Sequence, residues 1–529
     1  MKRIFLLLLS LVLLMILITA QADAPVLSLT SGLYEGSVTV EITAPGADAI
    51  LYTLDGSIPT EENAQVYAGP LTFTESTALR VRTVKGGELG EIVSESYIID
   101  THTKLDIVAV IIDPAELWDD EKGLFAKGKN NILHLDPFDS NATFMKNTDS
   151  PRDAEASYIV RSTGEVVLNE CIWMSTEKSG YGLTLPQKSF VIEAEDGMFE
   201  APLFDGSRTM FTSLALDNGG VDGMFTRSAS HAMMEMLHEH MDTDMLILQR
   251  SPVAVYLNGE YWGQYWLTET LDPLVICQHE GIDAAEAGPV RVEHSLNAVT
   301  TKGDYIVYDG KTYYMHMAYE AGPEVIRAYA EEHFDVDNLL DWFASKIFFG
   351  DLEPGLGDFY RLPGGKWRAS ATTFHTGLFV AGHDSPSAYT TGTMMTMYHN
   401  VTFAALMKVP EYRDAFLMKL GALWQKLPTM EMQWTLSGTV NLISDEMPYH
   451  FIRWAPEHIP LMNHEWPQES HAAMAYWQKR ISRMSNLTMV ARPFYVYYYT
   501  QRTFGLTDEE MLHYFGSPMP PEPYGFEGQ

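Results

Sequence analysis

The chain has 529 residues, too many for one ordinary domain and enough for a large core. Its formal net charge of −35 argues against a nucleic-acid binder, because the long-range field repels phosphate, and it suits an exported protein that must stay soluble. Two cysteines, Cys171 and Cys277, make neither a disulfide framework nor a zinc cluster and are expected as buried free thiols.

The first stretch reads as an export signal. Lys2 and Arg3 precede an apolar run from Ile4 to Ile18, and Ala20-Gln21-Ala22 fits the small-x-small cleavage rule. Residues 1–22 are therefore expected to be removed, which places the mature chain outside the cell or on its surface. No later stretch is apolar and long enough to span a bilayer, so no membrane partner is expected after cleavage.

Residues 24–100 read as all-β. VTVEIT, AILYTLDG, ALRVRTVKG and SESYIID are short β-branched or alternating runs separated by Gly, Pro and Asp, with Asp55-Gly56 as a turn signal. The frame Gly32-Leu-Tyr-Glu-Gly36, Tyr52-Thr-Leu-Asp-Gly-Ser-Ile-Pro-Thr60, Tyr67-Ala-Gly-Pro70 resembles the Ig-like domain at the C-terminal end of chitobiases and hexosaminidases. That resemblance implies a role in attachment or spacing, with cell-wall or extracellular glycan as a partner. Asp100 to Lys104 reads as a polar linker, the place where a protease is expected to cut first.

Leu105 to Asp113 is a buried-strand candidate, and residues 130 to 152 read as a long polar loop. Strands are expected at Ala156–Arg161, Glu165–Trp173 and across Leu185-Pro-Gln-Lys-Ser-Phe190 into Val191-Ile192-Glu193, which puts Lys188 on a strand. Residues 222 to 241 read as one helix. Its His231, His238 and His240 lack the spacing that puts two imidazoles on one face beside a catalytic Glu, so ordinary helix surface is the expectation.

Pro252 to Asp272 is the clearest hairpin. Val253, Val255 and Leu257 alternate along the first strand and Tyr261, Gly263, Tyr265 and Leu267 along the second, and Asn258-Gly259 supplies the two positive-φ positions of a tight turn. The wording Val-Tyr-Leu-Asn-Gly-Glu-Tyr-Trp-Gly-Gln-Tyr followed by Thr-Glu resembles the central hairpin of the CotH (spore coat protein H) kinase family. Leu117-Trp to Gly123-Leu124 and the intact Pro-Gln-Lys-Ser-Phe phrase match further phrases of that family.

The resemblance implies a two-lobed, α+β, protein-kinase-like domain over residues 105–500. The chain as a whole is then multidomain, with residues 501–529 forming a last helix and a Pro-rich tail. Residues 283 to 320 read as a β-rich insertion. From Gly322 the periodicity turns helical, with Leu339, Leu340, Phe343, Ile347 and Phe348 on one face. Further helices are expected at 400–426, 430–444 and 469–488, and Thr507 to Glu510 is a capping box.

Phosphoryl transfer needs a cation for phosphate, oxygen ligands for magnesium and a carboxylate to orient the attacking hydroxyl. The resemblance implies Lys188 as the phosphate-binding cation and Glu269 near the hinge between lobes. Two cations of the family pattern are missing, since Leu183 and Thr270 stand where the family usually has Arg. Aligned without gaps, Gly350-Asp-Leu-Glu353 falls on the family's Gly-Asn-Thr-Asp, which makes Glu353 the candidate base. Asp351 is the alternative if the register shifts.

Asp358 falls on the metal-holding Asn. The family's Asp-x-Asp falls on Thr373-Phe-His375, so both metal carboxylates are replaced. Thr373 is a neutral oxygen and His375 a nitrogen better suited to zinc, manganese or iron; Asp384 is a displaced alternative carboxylate. Two readings stay open. One is an exported kinase using ATP with magnesium or manganese on Ser or Thr of a partner protein. The other is a cofactor-free pseudokinase serving as a surface or carbohydrate-associated binding protein.

Overall fold

The computed structural model describes residues 24–129, 142–148, 150–176, 181–204, 208–301, 304–351, 355–372, 374, 377–379, 400–458 and 466–523. The N-terminal part is an all-β sandwich. Its main sheet runs Gly32–Tyr34 (β1), Glu88–Ile99 (β5), Thr77–Lys85 (β4), Ala49–Thr53 (β2), Gln65–Val66 (β3) in spatial order, with β1 parallel to β5 and the rest antiparallel. Val38 and Val40, from the facing strands, pack with Tyr52, Leu79, Val81 and Tyr97 to make the core.

A closed barrel follows. Asp106–Ile112 (β6), Arg152–Ile159 (β7), Val166–Thr176 (β8), Phe190–Ala194 (β9) and Ser213–Asp217 (β10) continue into Glu260–Glu269 (β12) and Arg250–Leu257 (β11). The ring shuts by parallel pairing of β6 with β11, which sets Val108 opposite Val255. Val108, Ile192, Leu216, Val255 and Leu267 fill the interior, following the period-2 alternation of their strands. The β11–β12 hairpin turns at Asn258 (φ 52°) and Gly259 (φ 84°), as the Asn-Gly dipeptide predicts.

The hairpin tip does more than turn. Asn258 exchanges two side-chain hydrogen bonds with the Ile112 backbone, both 2.9 Å, and a Cβ on Gly259 would lie 2.8 Å from the Ala78 amide nitrogen. The tip is therefore wedged against the sandwich. Beside it the buried Arg80 guanidinium donates to Gly56 O (2.8 Å) and Ile111 O (3.3 Å) and pairs with Glu155, which also accepts from Ser94. Residues 101–104 are tied down likewise. Thr103 is buried and its hydroxyl donates to Glu446 at 2.6 Å, while Lys104 meets Asp445 at 2.7 Å. The expected easy linker is a clamp between both folded parts.

The helical lobe is built on Val336–Phe349 (α3), almost wholly buried, which packs on Pro410–Lys426 (α4) in the largest core cluster. Asp335 caps its start and Gly350 (φ 66°) ends it. The helix expected over 222–241 is broken. Gly220–Phe225 (α1) and Ala229–His240 (α2) are separated by Arg227 at φ 58°, because its guanidinium turns inward to the Gln264 carbonyl instead of continuing the spiral.

The 283–320 segment mixes short helices, such as Leu296–Thr301, with strands. Helices stand at Thr429–Ile443 (α5), Met447–Trp454 (α6), Ser470–Arg483 (α7), Met489–Phe504 (α8) and Asp508–Phe515 (α9), the last with both bonds of its Thr507–Glu510 capping box. Cys171 and Cys277 are unpaired, and Cys171 is exposed, contrary to the expectation that both are buried. Of the loop expected at 130–152, residues 130–141 lie outside the described residues, and Thr143–Lys146 is a helical turn.

The lobes join at Gly263. Its φ of 115° suits glycine, and a Cβ there would lie 2.7 Å from Trp454 Nε1. That close approach lets α6 dock on β12, with Trp454 Nε1 donating to Trp262 O at 2.6 Å.

Candidate functional site

Lys188 stands just before β9, after the turn at Tyr181–Thr184, not on the strand as expected. Its ammonium is buried, 3 % exposed. It donates to Leu183 O (2.5 Å) and Leu185 O (2.7 Å) and lies 3.7 Å from the centre of the Phe144 ring. Burial, with a smaller push from Lys127, lowers the amine to about 7. Its own carbonyl accepts from Tyr265 Oη at 2.9 Å, which fixes the backbone.

Glu269 ends β12, also buried, and its carboxylate is fully engaged. Arg208 holds it with Nε at 2.6 Å and Nη2 at 2.5 Å, and Gln249 adds its backbone amide (2.7 Å) and side-chain amide (3.0 Å). The barrel register explains why Lys188 is not among these partners. Phe190 pairs with Leu216 and Leu216 with Leu267, whereas Leu214 pairs with Glu269. Lys188 thus lies level with Tyr265, about 13 Å along the strands from Glu269 and two strands, about 10 Å, across. Each charge is satisfied where it sits.

In the helical lobe, Asp351 follows the α3 cap. It is buried, accepts from Lys346 Nζ at 2.6 Å, and that ammonium lies 5.2 Å from the centre of the Phe374 ring. Asp358 lies on the strand Leu356–Arg361, 2.7 Å from His294 Nδ1, and accepts from the Thr372 hydroxyl. Asp358 therefore contacts Thr372, and Asp351 stands near Phe374 only through Lys346. The barrel reaches the same chain through Arg250, whose Nη2 donates to Thr372 O at 2.7 Å. Arg250 is half-buried near the charges of Asp217 on β10 and Asp222 on α1, and Asp217 in turn accepts from Ser189, next to Lys188.

Glu353, Thr373, His375 and Asp384 lie outside the described residues. Among the described residues no three His, Cys, Asp or Glu side chains converge as metal ligands, and the Lys188 ammonium spends donors on carbonyls of its own turn. These residues do not by themselves fit a magnesium–nucleotide pair. The three helix histidines stay apart: His231 stacks on Trp266 at 4.2 Å and burial pushes its pKa down to about 3, while His240 faces Glu431.

Sequence reasoning missed Arg208, Arg250 and Phe144. Arg208 sits in an irregular stretch with no periodicity. The assignment of Arg250 needs the fold, because its partner is 122 residues away.

The family model described as CotH kinase protein matches residues 180–486, more than half of the chain. The model of the chitobiase/beta-hexosaminidase C-terminal domain matches residues 29–95. No curated protein matches the chain.

Proposed function

Because the chain belongs to the CotH kinase protein family, we propose that it is an exported member whose ATP-dependent phosphotransfer is impaired or lost and which works as a surface-bound docking protein. One observation carries this reading. Lys188 is buried and its ammonium donates to Leu183 O and Leu185 O of its own turn. In protein kinases the strand cation must be turned toward the nucleotide phosphates. The replacement of the expected Asp-x-Asp by Thr373 and His375 supports the same conclusion from the metal side.

In this reading the sandwich contacts cell-wall or extracellular glycan, and the kinase-like body docks a partner protein. Export rests on the Lys2-Arg3 and Ala20-Gln21-Ala22 signal, and N-terminal sequencing of the secreted protein should begin at Asp23. Met1 retained on the mature protein would contradict export by cleavage. Among the described residues no helix is long and apolar enough to cross a membrane.

The active-kinase reading draws on Asp358, which accepts from Thr372, and on Asp351, whose partner Lys346 lies near Phe374. With Glu353 as base, such an enzyme would need them, or Asp384, to hold magnesium or manganese. Calorimetric titration with ATP, with and without each metal, separates the readings. Weak or absent binding with little gain from metal is expected. Tight metal-dependent binding that disappears in Lys188→Ala would restore the enzyme.

A further inference from the structure

One side chain on the outer wall of the barrel is left unused by packing. Along β8, Ile172 and Met174 face the barrel core, so Trp173 between them faces out, and it is 42 % exposed. Asp153 on β7 is its register partner on one side and Glu193 on β9 is its partner on the other. Directly paired residues share a face with Cβ atoms about 5 Å apart, so a carboxylate flanks the indole on each side. Cys171 and Ser175, two residues away on the same strand face, are small and do not wall the ring in.

Neither carboxylate is spent within the described chain. Asp153 is exposed and Glu193 half-buried, and among the described residues neither takes an ion pair or a side-chain hydrogen bond. The nearby cations are engaged elsewhere. Arg152 pairs with Glu116 and donates to Ser150 O, and Arg80 pairs with Glu155. The indole stacks on no described ring. Glu195 and Asp196 extend the negative charge past the end of β9; burial, then Glu155 and these two, push the Cys171 thiol up.

An exposed tryptophan alone needs no explanation. One set between two unspent carboxylates selects among partners. An anion is repelled. An apolar helix would bury two unpaired charges, which is costly. A second copy of this chain is disfavoured too, since each carries a formal charge of −35. A lysine or arginine side chain satisfies all three groups: its stem covers the indole, its charge lies over the ring, and the carboxylates neutralise it. We propose that this barrel face docks a Lys- or Arg-bearing segment of a partner protein, with one basic side chain on Trp173 between Asp153 and Glu193. The proposal rests on the docking reading above and gives it a place and a partner chemistry.

The test uses the full chain without nucleotide. Calorimetry is run with the peptide acetyl-Gly-Lys-Gly-Arg-Gly-amide and with acetyl-Gly-Glu-Gly-Glu-Gly-amide at about 0.15 M salt, where diffuse attraction is screened beyond ~8 Å. Saturable binding of the basic peptide alone is expected. Trp173→Ala should weaken it about tenfold and Trp173→Phe only about threefold, because phenylalanine keeps a ring face. Asp153→Asn with Glu193→Gln should weaken it about fivefold. Glu331→Gln with Glu332→Gln, on the helix Pro323–His333, removes the same charge from the helical lobe and should change binding less than about twofold.

No saturable binding of the basic peptide overturns the proposal. So does equal binding of the acidic peptide, unchanged binding in Trp173→Ala, or an equal loss in the Glu331, Glu332 control. Tighter binding of a cationic glucosamine oligomer than of the peptide would also overturn it. All these positions lie on the surface, so the variants should fold as the natural chain does. If the peptide fails while ATP also fails to bind, the docking face is wrong and the loss of phosphotransfer stands; if both bind, the docking face stands and the pseudokinase reading falls.

Discussion

Two regions of this molecule bury cations, and they do it in opposite ways. At the junction of sandwich and barrel, Arg80 is paired with Glu155 and two carbonyls, and the neighbouring contacts are dense and specific. At the Pro-Gln-Lys-Ser turn, Lys188 and, on the other side, Arg227 are held by neutral oxygens, with Asp222 and Asp217 acting on Arg227 only from beyond hydrogen-bond distance. A buried charge that is matched within the chain builds structure. A buried charge left against carbonyls costs stability.

The largest test of this contrast is Arg80→Ala. It leaves the Glu155 carboxylate and two carbonyls without their cation, so a loss of about 3–4 kcal/mol in urea unfolding is expected. A loss below about 1 kcal/mol would erase the distinction between the regions. Thr103→Val comes next. It removes the hydroxyl donor to buried Glu446 and should cost about 2 kcal/mol. In limited proteolysis of the intact protein, 101–104 should resist cleavage; early cutting there would mean that the clamp is open in solution.

Lys188→Met should have the smallest effect, within about 1 kcal/mol at pH 7, because the lost hydrogen bonds are offset by relief of ammonium burial. Its pH dependence is the sharper readout. The folded amine titrates at about 7 and the unfolded one at its ordinary 10.5, so between these values the unfolded chain binds more protons. Stability of the natural chain should therefore rise with pH across that window, and this rise should be missing in Lys188→Met. Parallel pH profiles for the two proteins would show that Lys188 is not buried as described.

What was legible in the sequence is what short-range physics dictates. The Asn258-Gly259 turn, the alternating strands around it and the Thr507–Glu510 cap all depend on residues within a few positions of one another. The all-β character of residues 24–100 followed from the same signals, while the α+β organisation of the rest rested on the family resemblance of the hairpin and Pro-Gln-Lys-Ser-Phe wording. The parallel closure of the barrel was not legible, since β6 and β11 are far apart in sequence and an edge strand looks the same whether or not it finds a partner. The break at Arg227 was hidden too, because its cause is the Gln264 side chain and carbonyl, supplied by another strand.

The site was half legible. Pro186 to Phe190 marked Lys188, but not that its ammonium would fold back on Leu183 O and Leu185 O. Thr103 looked like an exposed linker residue because nothing near it in sequence announces Glu446.

The most direct test of the central claim is a paired ATP titration of the natural chain and of the Thr373→Asp, His375→Asp double variant, each with and without magnesium. The account predicts little binding and little metal dependence in the natural chain, and magnesium-dependent binding created or strengthened at least tenfold in the double variant, because two carboxylates supply the missing metal anchor. Tight magnesium-dependent binding already present in the natural chain, and unchanged by the two substitutions, would contradict it.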